Sequence, residues 1–116
     1  MTNRVSLLGA LLAEPKSRTF EARGGTIEIL SLWIEVKDEH RADRFNIEIN
    51  CPKAIEAAKA MKTGVIAEIS GVLRHDRWKS KTNGEWTGRI YVAIDPGLGT
   101  IRSKGMVAGA AQTEAA

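Results

Sequence analysis

The sequence contains one cysteine, Cys51, among its 116 residues, and it has no long hydrophobic run. A single cysteine excludes an internal disulfide and a cysteine-based zinc site, and it favours an intracellular location. No apolar run approaches the roughly 18 residues that a membrane-spanning helix needs. The first apolar segment is followed by Glu14 and Pro15 where a signal-peptidase site would lie, so we predict a strand there instead of a signal peptide.

Aromatic residues are scarce, at 5% of the chain, and they are unevenly placed. Two of the three tryptophans lie in the segment RHDRWKSKTNGEW at residues 74–86. Charge is uneven in the same way: residues 1–71 carry ten Lys/Arg and ten Asp/Glu, whereas residues 72–105 carry seven Lys/Arg and three Asp/Glu. A localised basic surface is expected of a protein that binds a polyanion, although a solvated basic hairpin has the same composition.

Hydrophobic periodicity predicts five strands and one helix. Alternating or continuous apolar patterns indicate strands at residues 4–12, 26–36, 45–51, 65–78 and 87–95. Ile55, Ala58 and Met61 share one helical stripe after Pro52, which predicts a helix between the third and fourth strands that stops at Gly64.

Glycines and turn residues divide the remaining segments. Gly9 predicts a bend or bulge in the first strand, and Gly24–Gly25 close a loop or irregular hairpin at residues 14–25. Asn83–Gly84 predicts a two-residue turn, so that the fourth and fifth strands form a long hairpin arm.

This order of elements predicts an all-β fold, namely a five-stranded OB-fold Greek-key barrel with one short α-helix between strands three and four. The OB-fold domain is expected to span residues 1–105. Residues 106–116 are predicted to be a short disordered tail.

The predicted arm combines two kinds of side chain that suit single-stranded nucleic acid. In an extended strand His75, Arg77, Lys79 and Lys81 share one side, while Arg74, Asp76, Trp78 and Ser80 share the other, and strand twist is expected to bring both sides to one groove. Cationic side chains attract the phosphates, and exposed bases stack on aromatic rings with little sequence preference. Reading a duplex would instead need a helix or ribbon that presents side chains to base edges.

Two segments carry a resemblance to a known family. GVIAEISGVLRHDRW, from Gly64 to Trp78, resembles the fourth-strand pattern G-x-x-V-x-[IV]-x-G-x-L-R-x-x-x-W of bacterial single-stranded DNA-binding proteins. NRVSLLGALLAEP, from Asn3 to Pro15, resembles the family's first strand, and in register the resemblance covers about residues 3–105. Primosomal replication protein B, a dimeric OB-fold relative, is a second and more distant resemblance, because its arm lacks the Leu-Arg-x-x-x-Trp pattern.

The resemblance implies a protein that coats single-stranded DNA in replication, recombination or repair, located in the cytoplasm with the nucleoid. It also implies a homo-oligomer, with a tetramer favoured over a dimer, and no cofactor or metal. The tail GAAQTEAA lacks the family's acidic tip with a terminal hydrophobic residue, so recruitment of replication or repair enzymes by that route is not expected. This departure suits an accessory copy, such as one carried by a mobile element.

Candidate DNA-binding residues follow from the arm and from the resemblance. By position, Trp78 matches a stacking tryptophan of the family and Arg74 an arginine of its DNA-contacting arm. Trp33 and Phe45 also suit burial in the core, and no aromatic stands at the end of the third strand, where the family has a stacking phenylalanine. The full predicted set is Trp33, Arg44, Phe45, Arg74, Arg77, Trp78, Lys79, Lys81 and Trp86.

One other class of function remains open at this point, and a third is not expected. An OB-fold that contacts an acidic protein partner through its basic arm, with vestigial DNA binding, would explain the missing aromatic residues of the third strand. Catalysis is not expected, because His40 and His75 are isolated in the sequence and Cys51 has no recognisable partner.

Overall fold

The computed structural model describes residues 1–106, and this part of the chain forms seven strands and one helix. The elements are β1 (Val5–Leu11), β2 (Lys16–Ala22), β3 (Gly25–Lys37), β4 (Ala42–Ile49), α1 (Pro52–Lys59), β5 (Val65–Lys79), β6 (Trp86–Ile94) and β7 (Thr100–Met106). The predicted tail lies outside the described residues except for Met106, which ends β7. No helix in residues 1–106 is long and apolar enough to cross a membrane.

Hydrogen-bonded strands form a sheet that closes on itself. β3 pairs antiparallel with β1 and with β4, and β5 pairs antiparallel with β1 and with β6. A short parallel pairing between β4 and β6 completes the circuit β1–β3–β4–β6–β5–β1. The helix lies between β4 and β5, at the place in the chain where the sequence predicts it.

The number of strands differs from the five predicted, because two further strands pair along this circuit. β2 pairs with β3 in regular register from Lys16–Ser31 to Ala22–Gly25. Nearly every side chain of β2 is exposed. A strand without a buried side has no apolar alternation in its sequence, and that alternation is the signal by which strands are predicted. β7 pairs with β5 through a register shift near Gly105, and only its Ile101 is buried.

Alternate side chains of the strands fill the barrel interior. The predicted helical stripe is confirmed for Ile55 and Ala58, which are buried on α1, whereas Met61 is buried just after the helix has ended. α1 ends at Lys59, earlier than the predicted stop at Gly64. The largest fully buried side chains are Leu11, Leu30, Leu32, Ile34, Ile47, Ile49, Ile69, Val92 and Ile94.

Gly9 is not at a β-bulge, which was one of the two features predicted there. The pairing of β1 with β5 runs from Val5 to Ala10 without a register shift. At Gly9 the chain passes so close to β3 that an added Cβ would lie 2.7 Å from the carbonyl oxygen of Glu35. The absence of a side chain therefore allows β1 to approach β3 where it changes partner.

The arm consists of the antiparallel pairs of β5 and β6 from Val72–Ala93 to Lys79–Trp86. Its turn differs from the predicted two-residue Asn83–Gly84 turn. A hydrogen bond from Ser80 N to Glu85 O (2.8 Å) closes a longer loop, in which Gly84 has a φ of 73°. Among residues 1–106 no residue other than glycine has a positive φ, so Asn83 does not adopt the left-handed conformation that a type I′ turn requires.

Two isoleucines on the same side of β6 test where the arm leaves the core of the barrel. Ile94 is 0% exposed and Ile90 is 62% exposed. We expect Ile94→Ala to lower the free energy of unfolding by roughly 2–5 kcal/mol, because it leaves a cavity in the core. Ile90→Ala, the matched control, should change it by about 0.5 kcal/mol or less. Urea unfolding followed by circular dichroism measures both, and equal losses would show that the core extends along the arm as far as Ile90.

Candidate nucleic-acid interface

The register of the sheet places one set of aromatic and charged side chains on a common outer surface. Trp33 on β3 lies opposite Asn46 on β4, and on the arm Arg74 lies opposite Tyr91. Glu48 on β4 accepts hydrogen bonds from Arg18 on β2 and from Arg89 on β6, so it connects the β2–β4 part of this surface with the arm. We call this surface the outer face; its side chains are Arg18, Ser31, Trp33, Glu35, Arg44, Glu48, Arg74, Asp76, Trp78, Arg89 and Tyr91.

Both tryptophans of the outer face are open to solvent, with 44% of Trp33 and 48% of Trp78 exposed. Trp33 lies between Leu32 and Ile34, which are buried, so strand alternation alone turns its indole outward. Tyr91 is half-buried, and its strand, β6, lies in the sheet between β3, which carries Trp33, and β5, which carries Trp78. The alternative that Trp33 belongs to the core is therefore wrong.

Buried Glu48 is the centre of the outer face. Its carboxylate accepts hydrogen bonds from Arg18 (3.1 Å), Ser31 (3.2 Å) and Arg89 (2.6 Å), which come from three different strands. Burying the carboxylate of a residue that is only 7% exposed costs free energy unless the carboxylate is paired. Glu48 and its three donors therefore fix one another's positions. The hydrogen bond to Glu48 raises the pKa of Arg89 above its ordinary value, so this guanidinium stays charged.

The two remaining arginines of the outer face, Arg74 and Arg44, are also paired with carboxylates. Arg74 donates to Asp95 (2.6 Å), which raises the pKa of Arg74, and Arg44 lies 3.4 Å from Glu35. In these four ion pairs the arginine side chains are 40% to 60% exposed, whereas the carboxylates are 9% to 19% exposed. Each of these acids therefore lies beneath its arginine, so the solvent-facing part of each pair is cationic; Asp76 is an exposed carboxylate on the same face.

A shallow pocket opens beside Tyr91. It has a volume of about 360 Å³, and its polar lining includes Asp76 and Asn50 as well as Glu48 and Arg74. The phenol donates to Asp76 (2.9 Å), and the guanidinium of Arg89 lies over the ring, 4.5 Å from its centroid. Burial and the Asp76 carboxylate raise the pKa of Tyr91, so its hydroxyl remains a donor at neutral pH.

The predicted site residues do not all lie on the outer face. Trp33, Arg44, Arg74 and Trp78 do, whereas Phe45 points inward and packs against the core. Arg77, Lys79 and Trp86 lie on the opposite side of the arm, here called the reverse face, with Arg77 5.4 Å from the centroid of the Trp86 ring. Lys81 lies in the loop at the end of the arm, where it is exposed.

Seven residues of the outer face are missing from the predicted set: Arg18, Ser31, Glu35, Glu48, Asp76, Arg89 and Tyr91. Arg89 and Tyr91 lie opposite Asp76 and Arg74, so a correct cross-strand register would have indicated them. Arg18 left no such signal, because β2 was not predicted as a strand. Residues 1–106 hold no group of three or more His, Cys, Asp or Glu side chains that could bind a metal ion.

Comparisons with known proteins give one sequence relative and two structural neighbours that bear on this site. No protein-family model matches the chain. The single-stranded DNA-binding protein of Thermosynechococcus vestitus is 29% identical over 82 residues, which cover 71% of this chain and 68% of that protein. The single-stranded DNA-binding protein of Plasmodium falciparum, solved in complex with single-stranded DNA, superposes with a TM-score of 0.73 at 15% identity, over 89% of this chain and 95% of that one. The mitochondrial single-stranded DNA-binding protein of S. cerevisiae gives 0.66 at 10% identity, over 91% and 99%.

The closed strand circuit and the structural neighbours define the class: this is an OB-fold protein with an exposed aromatic and cationic face. The predicted fold class is confirmed, although the strand count is higher. The sequence motifs and the relative from Thermosynechococcus vestitus agree with this class. As the resemblance indicates, the chain is related to the single-stranded DNA-binding proteins.

Tyr91 is the only tyrosine of the chain, so its ionisation can be followed directly. We expect absorbance at 295 nm to give a pKa above the ordinary value of about 10. Asp76→Asn should lower this pKa while leaving the part of the shift that burial causes. The raised pKa stabilises the fold fully below the unfolded value, and this contribution is lost as pH rises from that value through the folded pKa.

Glu56→Gln on α1 is the control, because it removes a carboxylate that is not on the outer face. A pKa of Tyr91 that is the same in the wild type and in Asp76→Asn would contradict the hydrogen bond between them. Circular dichroism at each pH shows whether the protein is still folded.

Proposed function

We propose that this protein binds single-stranded DNA without sequence preference, through the outer face, and that it catalyses no reaction. The observation that carries the proposal is the combination of exposed indoles with a cationic surface layer. Trp33 and Trp78 offer flat rings on which bases can stack, and Arg18, Arg44, Arg74 and Arg89 offer N–H groups to phosphates. The sequence relative and the structural neighbours named above support it.

The anchored arginines favour this function for a physical reason. A guanidinium has five N–H donors, and an ion pair with a carboxylate occupies only some of them. The donors that remain are directed by the pair, so less side-chain freedom is lost when a phosphate binds. Stacking supplies about 1–3 kcal/mol per base and accepts every base, which accounts for binding without sequence preference.

The reverse face is a second part of the proposed site. Trp86 is exposed, and Arg77, Lys79 and Lys81 surround the end of the arm with positive charge. Because these residues lie on the opposite side from Trp78, a short strand on the outer face does not reach them. We propose that they contact longer strands that pass around the arm.

Self-association of the chain is also part of the proposal, with a homotetramer favoured over a dimer. Near the barrel, the reverse face of the arm exposes Leu73, and Leu8 of β1 is exposed on another side. Such apolar side chains suit contacts between copies, whereas the basic end of the arm stays free for DNA. Sedimentation equilibrium of the free protein measures this assembly.

A role in replication, recombination or repair, in the cytoplasm with the nucleoid, is the cellular setting that we propose. The relatives carry names that refer to DNA binding and not to a reaction. Contact with an acidic protein through the basic arm is the other function that the sequence left open, and the outward position of Trp33 and Trp78 favours DNA over it.

Replacing one stacking residue tests the proposed site. For oligothymidylate of about 8 nucleotides, within the site sizes of OB-folds, Trp78→Ala should cost roughly 1–3 kcal/mol of binding free energy, because one stacked base is lost. Fluorescence anisotropy of a labelled oligonucleotide at low salt gives the dissociation constants.

Trp86→Ala is the matched control, since it removes the same side chain from the reverse face of the same hairpin. It should leave the affinity for this short oligonucleotide unchanged. If wild-type protein shows no binding and no quenching of tryptophan fluorescence, the protein-interaction function replaces DNA binding.

Removing one guanidinium tests the phosphate contacts. Arg74→Ala should lower the slope of log K against log salt by about 0.7, the value for one phosphate contact of a single strand. Trp78→Ala should leave this slope unchanged, because stacking releases no counterions. Lys53→Ala on α1 is the control for a lost positive charge away from the outer face. The same salt response for Arg74→Ala and Trp78→Ala would contradict this division of roles.

A further inference from the structure

A third aromatic side chain is exposed on the hairpin of β2 and β3, and no function discussed so far uses it. Phe20 on β2 lies directly opposite Ile27 on β3, and the two are 46% and 41% exposed. Directly opposite residues of an antiparallel pair have neighbouring side chains, so the ring and the isoleucine form one apolar patch.

The register shows that this patch is on the same side as the outer face. Phe20 is two residues after Arg18, and side chains two apart in a strand point to the same side. Arg18 reaches Glu48, which fixes that side as outward. Ile29, opposite Arg18, lines the pocket beside Tyr91, so the apolar surface continues from Phe20 to the centre of the outer face.

Folding does not explain the position of Phe20. The side chains from Lys16 to Glu21 are all exposed, so β2 buries no stripe against the core. Phe20 is absent from the hydrophobic core and from the residues packed against it. Because folding leaves this ring exposed in a polar strand, we expect its role to be contact with a flat apolar partner.

Charge decides which partner suits this ring. Arg18 lies beside the patch on the same strand, and Arg23 is exposed at the turn that joins β2 to β3. A ring flanked by cations suits a partner that has a flat face for stacking and a negative charge beside it. A nucleotide of a single strand has both, in its base and in its phosphate. An acidic peptide would be attracted by the cations, but it offers no stacking surface to the ring.

We propose that Phe20, supported by Ile27, is a further base-stacking position, which extends the DNA path from the outer face onto the β2–β3 hairpin. This inference rests on the proposed single-stranded DNA binding. The stacking position at Phe20 replaces one that β4 does not supply, because Phe45, the aromatic residue of that strand, points into the core. The track then has Phe20 on β2 at one end and Trp78 on β5 at the other, with Trp33 on β3 and Tyr91 on β6 between these two residues.

Three substitutions of Phe20 distinguish stacking from simple apolar contact. For oligothymidylate of about 16 nucleotides, Phe20→Ala should weaken binding roughly fivefold to a hundredfold, the effect of one lost stack, with an unchanged salt slope. Phe20→Leu should weaken it almost as much, because leucine is apolar without a π-face. Phe20→Tyr should bind like the wild type. Wild-type affinity for Phe20→Leu would overturn the stacking role.

Thr19→Ala is the matched control, because Thr19 is the neighbour of Phe20 on the opposite side of β2. It should bind like the wild type, and urea unfolding should show that every variant is folded. A direct measurement is photocrosslinking of oligonucleotides that carry 5-iodouracil at successive positions, with the site read by mass spectrometry. Crosslinks to Phe20 are expected from one end of the strand, and their absence at every position would contradict the proposal.

The outcomes separate this inference from the proposed function. If Trp78→Ala weakens binding and Phe20→Ala does not, DNA binding stands and the stacking position is wrong. If the wild type binds no oligothymidylate, the proposed function fails, and this inference fails with it. If Phe20→Ala changes the sedimentation of the free protein but not its DNA affinity, the patch is a contact between copies, and the inference is overturned.

Discussion

The short parallel pairing between β4 and β6 is the constraint on which the rest of the structure depends. Three residue pairs, Ile47–Val92, Glu48–Ala93 and Ile49–Ile94, join a half built from β1 to β4 to a half built from β5 and β6. The inward members of these pairs belong to the core, and the outward Glu48 meets Arg89 from the other half. Without this pairing the barrel is open, and Trp33 and Trp78 belong to separate surfaces. Closure of the core and assembly of the outer face are therefore one event.

The charge distribution of the outer face follows from burial and not from a surplus of cations. Four arginines lie there with three carboxylates beneath them, and one of these carboxylates, Glu48, serves two arginines. Water solvates the exposed guanidinium groups, while the acids find their partners within the protein. A phosphate that approaches the surface therefore meets oriented donors first. The pairs also explain why the net charge of a segment is an incomplete guide to what its surface attracts.

Most of the fold could be predicted from the sequence, because the elements that build the core have strong local signals. Alternation identified β3, β4, β5 and β6, and helical spacing identified α1 with its buried stripe. β2 and β7 were missed since neither buries a regular apolar face. The arm loop was misjudged because Asn83–Gly84 favours a two-residue turn locally, whereas the pairing of Lys79 with Trp86 leaves a longer loop to close.

The sequence by itself determined the fold class, the basic arm and the sides of β5 on which Arg74, Trp78 and Lys79 lie, because strand alternation is a local property. Tertiary structure decided which of these sides faces Trp33, since that depends on the parallel contact between residues more than 40 positions apart. It also decided that Phe20 is outward, because β2 has no buried side of its own and its sides are fixed by the pairing with β3. Residue types and their spacing are local, whereas a binding surface is shared between strands and exists only after the barrel has closed.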